Sequence, residues 1–301
     1  MPQFNIGPYL VGDDAPTLIL AEAGINHNGD LSLAKQLIDA AHAAGANLIK
    51  FQKRTPEICV PDAEKGKLRE TPWGEMSYLD YRYKIEFGQD EYEQIDAYCK
   101  QKGILWTASA WDVESVRFLE QFAVPCHKVP SALLTHRPLI QCLSHDYQKP
   151  LIVSTGMSTF EQIEDAYQWH LEADKWYKKL GDRLALLHCT SAYPCPTAEQ
   201  NLAMIPTLQR CYGNHAVIGY SGHELGMQTT LAAVALGAKI IERHLTLDRS
   251  MWGTDQAASL EPGAFTRLVR DIRIIEEAMG DGVKRVYDSE LSSMKKLRYI
   301  I

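Results

Sequence analysis

Eight short, mostly apolar runs alternate with helical patterns along almost the whole chain, and that alternation leaves few folds open. The runs occupy residues 17–22, 47–51, 104–108, 126–129, 150–154, 184–188, 216–220 and 239–244. Between and after them the apolar spacing predicts helices over 31–44, 89–102, 113–122, 137–145, 159–172, 199–211, 226–236 and 263–279. Strands that are apolar on both faces and separated by helices pair in parallel through right-handed crossovers, with the helices covering the sheet. Eight such units predict an α/β chain folded as a (β/α)8 TIM barrel. An open doubly wound sheet is the structural alternative, but no GxGxxG fingerprint follows the first strand.

Three segments fall outside the repeat. Residues 1–16 form an expected N-terminal extension, a short hairpin closing one mouth of the barrel at 17–282, and residues 283–301 form a charged C-terminal tail. The connection at 55–88 far exceeds the usual ~2–6 residues of a βα loop and reads as a lid or binding loop. A formal charge of -7 over 301 residues gives no overall attraction to nucleic acid or to an anionic membrane, which leaves a small molecule as the expected partner. No apolar run approaches the ~18 residues of a membrane span, and the first residues lack a signal-peptide layout, so a cytoplasmic location is expected. The seven cysteines include no CxxC pair and read as free thiols, mostly buried.

In a barrel of this kind the chemistry sits at the C-terminal ends of the strands. Here they end in Glu22; Lys50 and Gln52; Thr107 and Ser109; Lys128 and Ser131; Ser154 and Thr155; His188 and Thr190; Ser221 and His223; and Glu242 and His244. The two-residue strand period puts Lys50 and Gln52 on one face, and likewise Glu242 and His244. Two lysines with Ser109, Ser131 and Ser154 suit an anion such as phosphate; the competing reading pairs each lysine with Glu22 or Glu242. His223 and His244 with a neighbouring carboxylate suit Mn²⁺, Fe²⁺ or Zn²⁺, the alternative being hydrogen-bonded core histidines. His188 is a third candidate, and His27 is open between ligand, substrate contact and turn residue. Asn28-Gly29-Asp30 reads as a turn with Asp30 as helix N-cap. Gly222 suits a chain that turns sharply as it leaves a strand.

The motifs AEAGINHNG (21–29), IKFQ (49–52), STGM (154–157), HCTSAYP (188–194), GYSGH (219–223), ERH (242–244) and GTDQAASLEP (253–262) occur in an order that resembles the sialic acid synthase family. The resemblance implies a (β/α)8 transferase that condenses phosphoenolpyruvate with an N-acetylmannosamine-type aldose, or its 6-phosphate, to give a nonulosonic acid and phosphate. It makes His223 and His244 ligands of a divalent metal, usually Mn²⁺, with Mg²⁺ or Co²⁺ as alternatives. Glu22 matches the catalytic carboxylate, and Lys50, Ser109, Lys128, Ser131, Ser154 and Ser191 match positions holding phosphoenolpyruvate. Gln52, Tyr193, Ser221, Glu242 and Asp255 match positions near the metal or the sugar. A homodimer and a role in lipopolysaccharide or surface-glycan biosynthesis are also implied.

Two departures bear on the sugar. Many relatives carry an acidic residue shortly after the fourth-strand lysine, where this chain has Leu133, and many bacterial members continue into an antifreeze-like domain where this sequence stops at Ile301. The 55–88 loop, with Lys65, Lys67, Arg69, Trp73, Arg82 and Lys84, is expected to cover the sugar instead. Two competing functions are a Schiff-base aldolase using Lys50 or Lys128, and a non-catalytic barrel that binds a sugar phosphate.

Overall fold

A computed structural model describes residues 2–147, 149–174 and 183–299. Its centre is a closed barrel of eight parallel strands: β1 (Leu18–Gly24), β2 (Leu48–Lys53), β3 (Leu105–Ala110), β4 (His127–Val129), β5 (Leu151–Ser154), β6 (Leu184–Cys189), β7 (Ala216–Gly222) and β8 (Ile240–His244). Each strand lies beside its predecessor, and β8 closes against β1 with His244 opposite Glu22. Outside the strands run α1 (Leu31–Ala43), α2 (Gln89–Lys102), α3 (Val113–Glu120), α4 (Arg137–His145), α5 (Phe160–Asp174), α6 (Met204–Tyr212), α7 (Gln228–Ala235) and α8 (Pro262–Met279). This is the predicted (β/α)8 barrel. Among the described residues, no helix is long and apolar enough to cross a membrane.

The two-residue period explains how one chain builds both a packed interior and a polar mouth. Leu18 and Leu20 of β1, Leu48 of β2, Ile152 of β5, Leu187 of β6 and Ile240 of β8 belong to one buried cluster inside the barrel. Two residues further along the same face stand Glu22, Lys50, Ser154, Cys189 and Glu242. Ile19, Ala21, Ile49, Phe51 and Ile241 alternate with these and join the larger cluster beneath the helices. Helix α1 meets that cluster with Ala34, Leu37, Ile38 and Ala41, one face at helical spacing, and the Asp30 carboxylate caps its N-terminus by accepting from Ser32 and Leu33 N–H.

The N-terminal hairpin, Phe4–Ile6 against Tyr9–Val11, inserts Phe4, Ile6 and Val11 into the interior cluster and stoppers the lower mouth. The predicted helix over 199–211 is instead a 3-10 turn at Thr197–Glu199 followed by α6, because Asn201 takes a left-handed φ of 44° between them. The long connection after β2 is ordered into two single-turn helices (Pro56–Cys59 and Asp62–Lys65), a hairpin (Leu68–Thr71 with Gly74–Ser77) and a helix, Tyr78–Ile85. Asp112, the N-cap of α3, ties the start of this connection down by accepting from Thr55 N–H at 2.7 Å.

Candidate active site

The upper mouth opens into a cavity of about 500 Å³. All fourteen candidate residues border it: Glu22, Lys50, Gln52, Ser109, Lys128, Ser131, Ser154, Ser191, Tyr193, Ser221, His223, Glu242, His244 and Asp255. Strand register brings many of them side by side, with Glu22 opposite Lys50, Gln52 opposite Ser109, Ser109 opposite Lys128 and Ser221 opposite Glu242.

At the floor, two acids and two lysines alternate. Lys50 Nζ lies 2.5 Å from Glu22 Oε2 and 3.8 Å from Glu242 Oε1, and Lys128 Nζ lies 3.8 Å from Glu242 Oε2. Each ammonium also donates to a serine hydroxyl at 2.8 Å, Lys50 to Ser109 and Lys128 to Ser154. Gln52 Nε2 donates to Glu22 Oε1 at 3.1 Å, and Ser221 Oγ donates to Glu242 Oε1 at 3.2 Å. The pairing reading of the lysines therefore holds, and both still face the cavity.

Burial divides these acids. It pushes the Glu22 carboxyl up to about 7, with Lys50 pulling back and Glu242 adding to the rise, so Glu22 is poised to exchange a proton near neutrality. Burial works the same way on Glu242, but Lys128 and Lys50 outweigh it and hold that carboxyl below its ordinary range. Desolvation would lower Lys50, yet Glu22 and Glu242 keep it above the usual lysine value. Lys128 goes the other way, lowered by burial with the Lys50 charge adding to the effect.

Beside Lys128 the wall is made of hydroxyls. Gly156 N–H donates to Ser131 Oγ at 3.1 Å, and a Cβ built on Gly156 would lie 2.3 Å from Ser191 Oγ. Only glycine lets the chain pass between these two serines. Gly222 is the last residue of β7, where the chain leaves the strand as expected, and close packing also calls for glycine there: a Cβ would fall 2.4 Å from Glu224 Oε2 and 2.7 Å from the Tyr220 ring.

His223 and His244 face each other with ring centroids 5.3 Å apart, and the Tyr193 ring lies 4.2 Å from His223. Thr190 O accepts from His223 Nδ1 at 3.2 Å, which places a proton there and turns Nε2 the other way round the ring. Burial depresses His244 to about 3, so its imidazole is neutral; its Nδ1 has no hydrogen-bond partner and stands 3.8 Å from Asp255 Oδ2. Two oriented imidazoles, a buried nitrogen without a partner and a nearby carboxylate fit a divalent cation. Among the described residues, no three or more His, Cys, Asp or Glu side chains gather as a metal cluster, so substrate or water oxygens would complete the coordination.

Other candidates fall away. His188 Nε2 bonds Gln200 O at 2.7 Å and does not border the cavity. His27 is a turn residue: its Nδ1 accepts from Gly29 N–H at 3.1 Å and its ring stacks on Phe87. Of the six loop residues expected over the sugar, Arg82 alone borders the cavity. Lys65 and Lys67 pair with acids of the loop itself, while Arg69 and Lys84 lie over Tyr78 and Trp73. Sequence reasoning missed Arg54 and Trp111, which also line the cavity. The signal for Arg54 was present, since the strand period through Lys50 and Gln52 reaches it next.

Comparison with known proteins adds a second line. Residues 37–284 match the NeuB family model. The chain is 37% identical over 289 residues to the N-acetylneuraminate-9-phosphate synthase of Mus musculus, covering 95% of this chain and 78% of that protein. It is also 37% identical over 284 residues to the N,N'-diacetyllegionaminic acid synthase of Campylobacter jejuni, covering 94% and 83%. The crystal structure of an N-acetylneuraminic acid (sialic acid) synthetase from Leptospira borgpetersenii, in complex with citrate, matches with a TM-score of 0.85 at 31% identity, covering 98% of this chain and 95% of that one.

Proposed function

Because this chain belongs to the NeuB family, we propose that it condenses phosphoenolpyruvate with the open-chain aldehyde of an N-acetylmannosamine-type aldose, giving a nine-carbon 2-keto-3-deoxy acid and phosphate. The observation that carries this reading is the buried row Glu22, Lys50, Glu242, Lys128 at the floor of a cavity walled by serine hydroxyls. In the reaction, C3 of phosphoenolpyruvate adds to the aldehyde carbon, water adds at C2, and the tetrahedral intermediate expels phosphate with C–O cleavage. Lys50 and Lys128, with Ser109, Ser131, Ser154 and Ser191, offset the charge on the donor's carboxylate and phosphate. Glu22, poised near neutrality, takes the proton of the attacking water. Gln52, bonded to Glu22, and Tyr193, Ser221 and Asp255 border the acceptor.

His223 and His244 would hold a divalent cation, Mn²⁺ by resemblance with Mg²⁺ or Co²⁺ as alternatives, which when bound supplies Lewis-acid polarisation of the aldehyde oxygen. A cytoplasmic location, a homodimeric assembly and a role in surface-glycan or lipopolysaccharide synthesis belong to the same proposal and rest on the family resemblance.

A Schiff-base aldolase needs a free amine. Lys50, held protonated by Glu22 and Glu242, does not supply one, whereas the lowered Lys128 keeps that reading testable. The experiment is phosphate release from phosphoenolpyruvate with Mn²⁺ or EDTA across aldoses and their 6-phosphates, with borohydride trapping alongside. Release that requires both metal and one sugar supports the synthase. Metal-independent turnover with a borohydride-trapped Lys128 overturns it, as does no release with any sugar.

A further inference from the structure

Two arginines border the cavity near the ends of β2 and β3, beside Gln52. Arg54 directly follows β2, and its guanidinium lies 3.7 Å from the ring centroid of Trp111, just beyond β3. Arg82 reaches the same cavity from the loop helix Tyr78–Ile85, with Nε donating to the Tyr78 hydroxyl at 2.9 Å.

The group is short of acceptors. Arg54 is 8% exposed; its Nη2 donates to Gln52 Oε1, but its Nε has no hydrogen-bond partner, nor do Arg82 Nη1 and Trp111 Nε1. Among the described residues neither guanidinium is in an ion pair. Glu86, the acid of this segment, is engaged by Lys53 Nζ at 2.8 Å and by the Arg54 backbone N–H at 2.9 Å. Burial, and then the Arg82 charge, lower Arg54 to about 10, with Glu86 and Asp255 only partly opposing. Two neighbouring cations and three buried donors without acceptors are costly in isolation, and an oxyanion bound there would offer acceptors and offset the charge.

We propose that Arg54 and Arg82, with Trp111, form a second anion subsite that takes a phosphate monoester or carboxylate carried by the acceptor sugar. This rests on the synthase reading above and names its acceptor class. Guanidinium forks match such oxyanions in a bidentate way, whereas a neutral hydroxyl leaves both charges uncompensated. The lysine floor remains for the donor.

The test measures kcat/KM for N-acetylmannosamine, its 6-phosphate and its 6-carboxylate (uronic acid), with phosphoenolpyruvate, on the wild type, Arg54→Met, Arg54→Lys and Arg82→Met. One anionic sugar is expected to exceed the neutral one by about 100-fold or more, and which one does so identifies the anion. Either Met variant should cut that ratio at least roughly tenfold, Arg54→Lys should restore part of it, and KM for phosphoenolpyruvate should stay within about threefold of wild type. A wild type that favours the neutral sugar, or an unchanged ratio in both Met variants, overturns the proposal. Should Arg54→Met fail to fold, the half-buried Arg82 carries the test. If no sugar releases phosphate, it is the synthase reading that fails. The subsite is then decided by calorimetric titration of N-acetylmannosamine and its 6-phosphate and 6-carboxylate: tighter binding of an anionic form that Arg82→Met abolishes supports it, and equal or absent binding overturns it.

Discussion

Glu224→Gln removes the carboxylate facing Arg243 while keeping the shape of the side chain. Arg243 is wholly buried; its Nη1 donates to Glu224 Oε1 at 2.8 Å, to Gly226 O at 3.0 Å and to Thr230 Oγ1 at 2.6 Å, and its Nη2 donates to Glu224 O at 2.8 Å. Tyr220 Oη donates to the other Glu224 oxygen at 3.0 Å. Glutamine keeps some of these bonds but leaves the guanidinium charged in a place water does not reach. Removing one partner of such a buried pair costs about 3–5 kcal/mol. At roughly 2 °C per kcal/mol for a large domain, thermal unfolding should fall by about 6–10 °C. Arg243→Met should cost as much by stranding Glu224, and the double variant should cost at least ~2 kcal/mol less than the sum, because neither charge is left alone. Glu224 directly follows His223 and Arg243 directly precedes His244, so each single variant should also weaken the Mn²⁺ binding proposed for those imidazoles, read by calorimetric titration. Single effects below about 1 kcal/mol, or additivity within ~0.5 kcal/mol, would refute the reasoning.

Glu22→Gln is expected to lower kcat by about 10²–10⁴ while phosphoenolpyruvate affinity, measured by direct binding, stays within a few-fold; near-normal turnover would remove Glu22 from the chemistry. Gly156→Ala pushes a methyl between Ser131 and Ser191, and about 1–3 kcal/mol of overpacking corresponds to a roughly 5- to 150-fold rise in KM for phosphoenolpyruvate; an unchanged KM would show that this wall does not touch the donor. At Asp112, burial opposes the anion, but bonds from Cys59, Thr55 and Ser115 outweigh it and hold the carboxyl below its usual value. Because the folded value is the lower one, this stabilisation is complete above the unfolded value near ~4 and is lost as pH falls toward the folded one. Asp112→Asn should therefore cost about 1–3 kcal/mol at pH 7, and the gap from wild type in urea unfolding should narrow in acid; a constant gap would refute the assignment.

The barrel and its floor were legible because one rule, the two-residue strand period, governs both. Leu18, Leu20 and Glu22 lie on one face of β1, so a polar residue ending an apolar run announces where the interior stops and the site begins. The rule loses force where strands end. Whether Arg69 or Arg82 reaches the cavity depends on how the hairpin and helix of the long connection fold over it, and nothing in a run of alternating charges encodes that. His27 stayed open between three readings and His188 misled for a related reason: Phe87, which stacks on His27, and Gln200, which binds His188, are distant in sequence or lie past a turn.

Since the hairpin stoppers the lower end, the chamber formed by the described residues opens at its upper mouth, with Lys50 and Lys128 at the floor. If the donor takes that floor as proposed, phosphoenolpyruvate would load ahead of the sugar, and phosphate held there would leave after the new acid. In that order of occupancy the second substrate would act as the door.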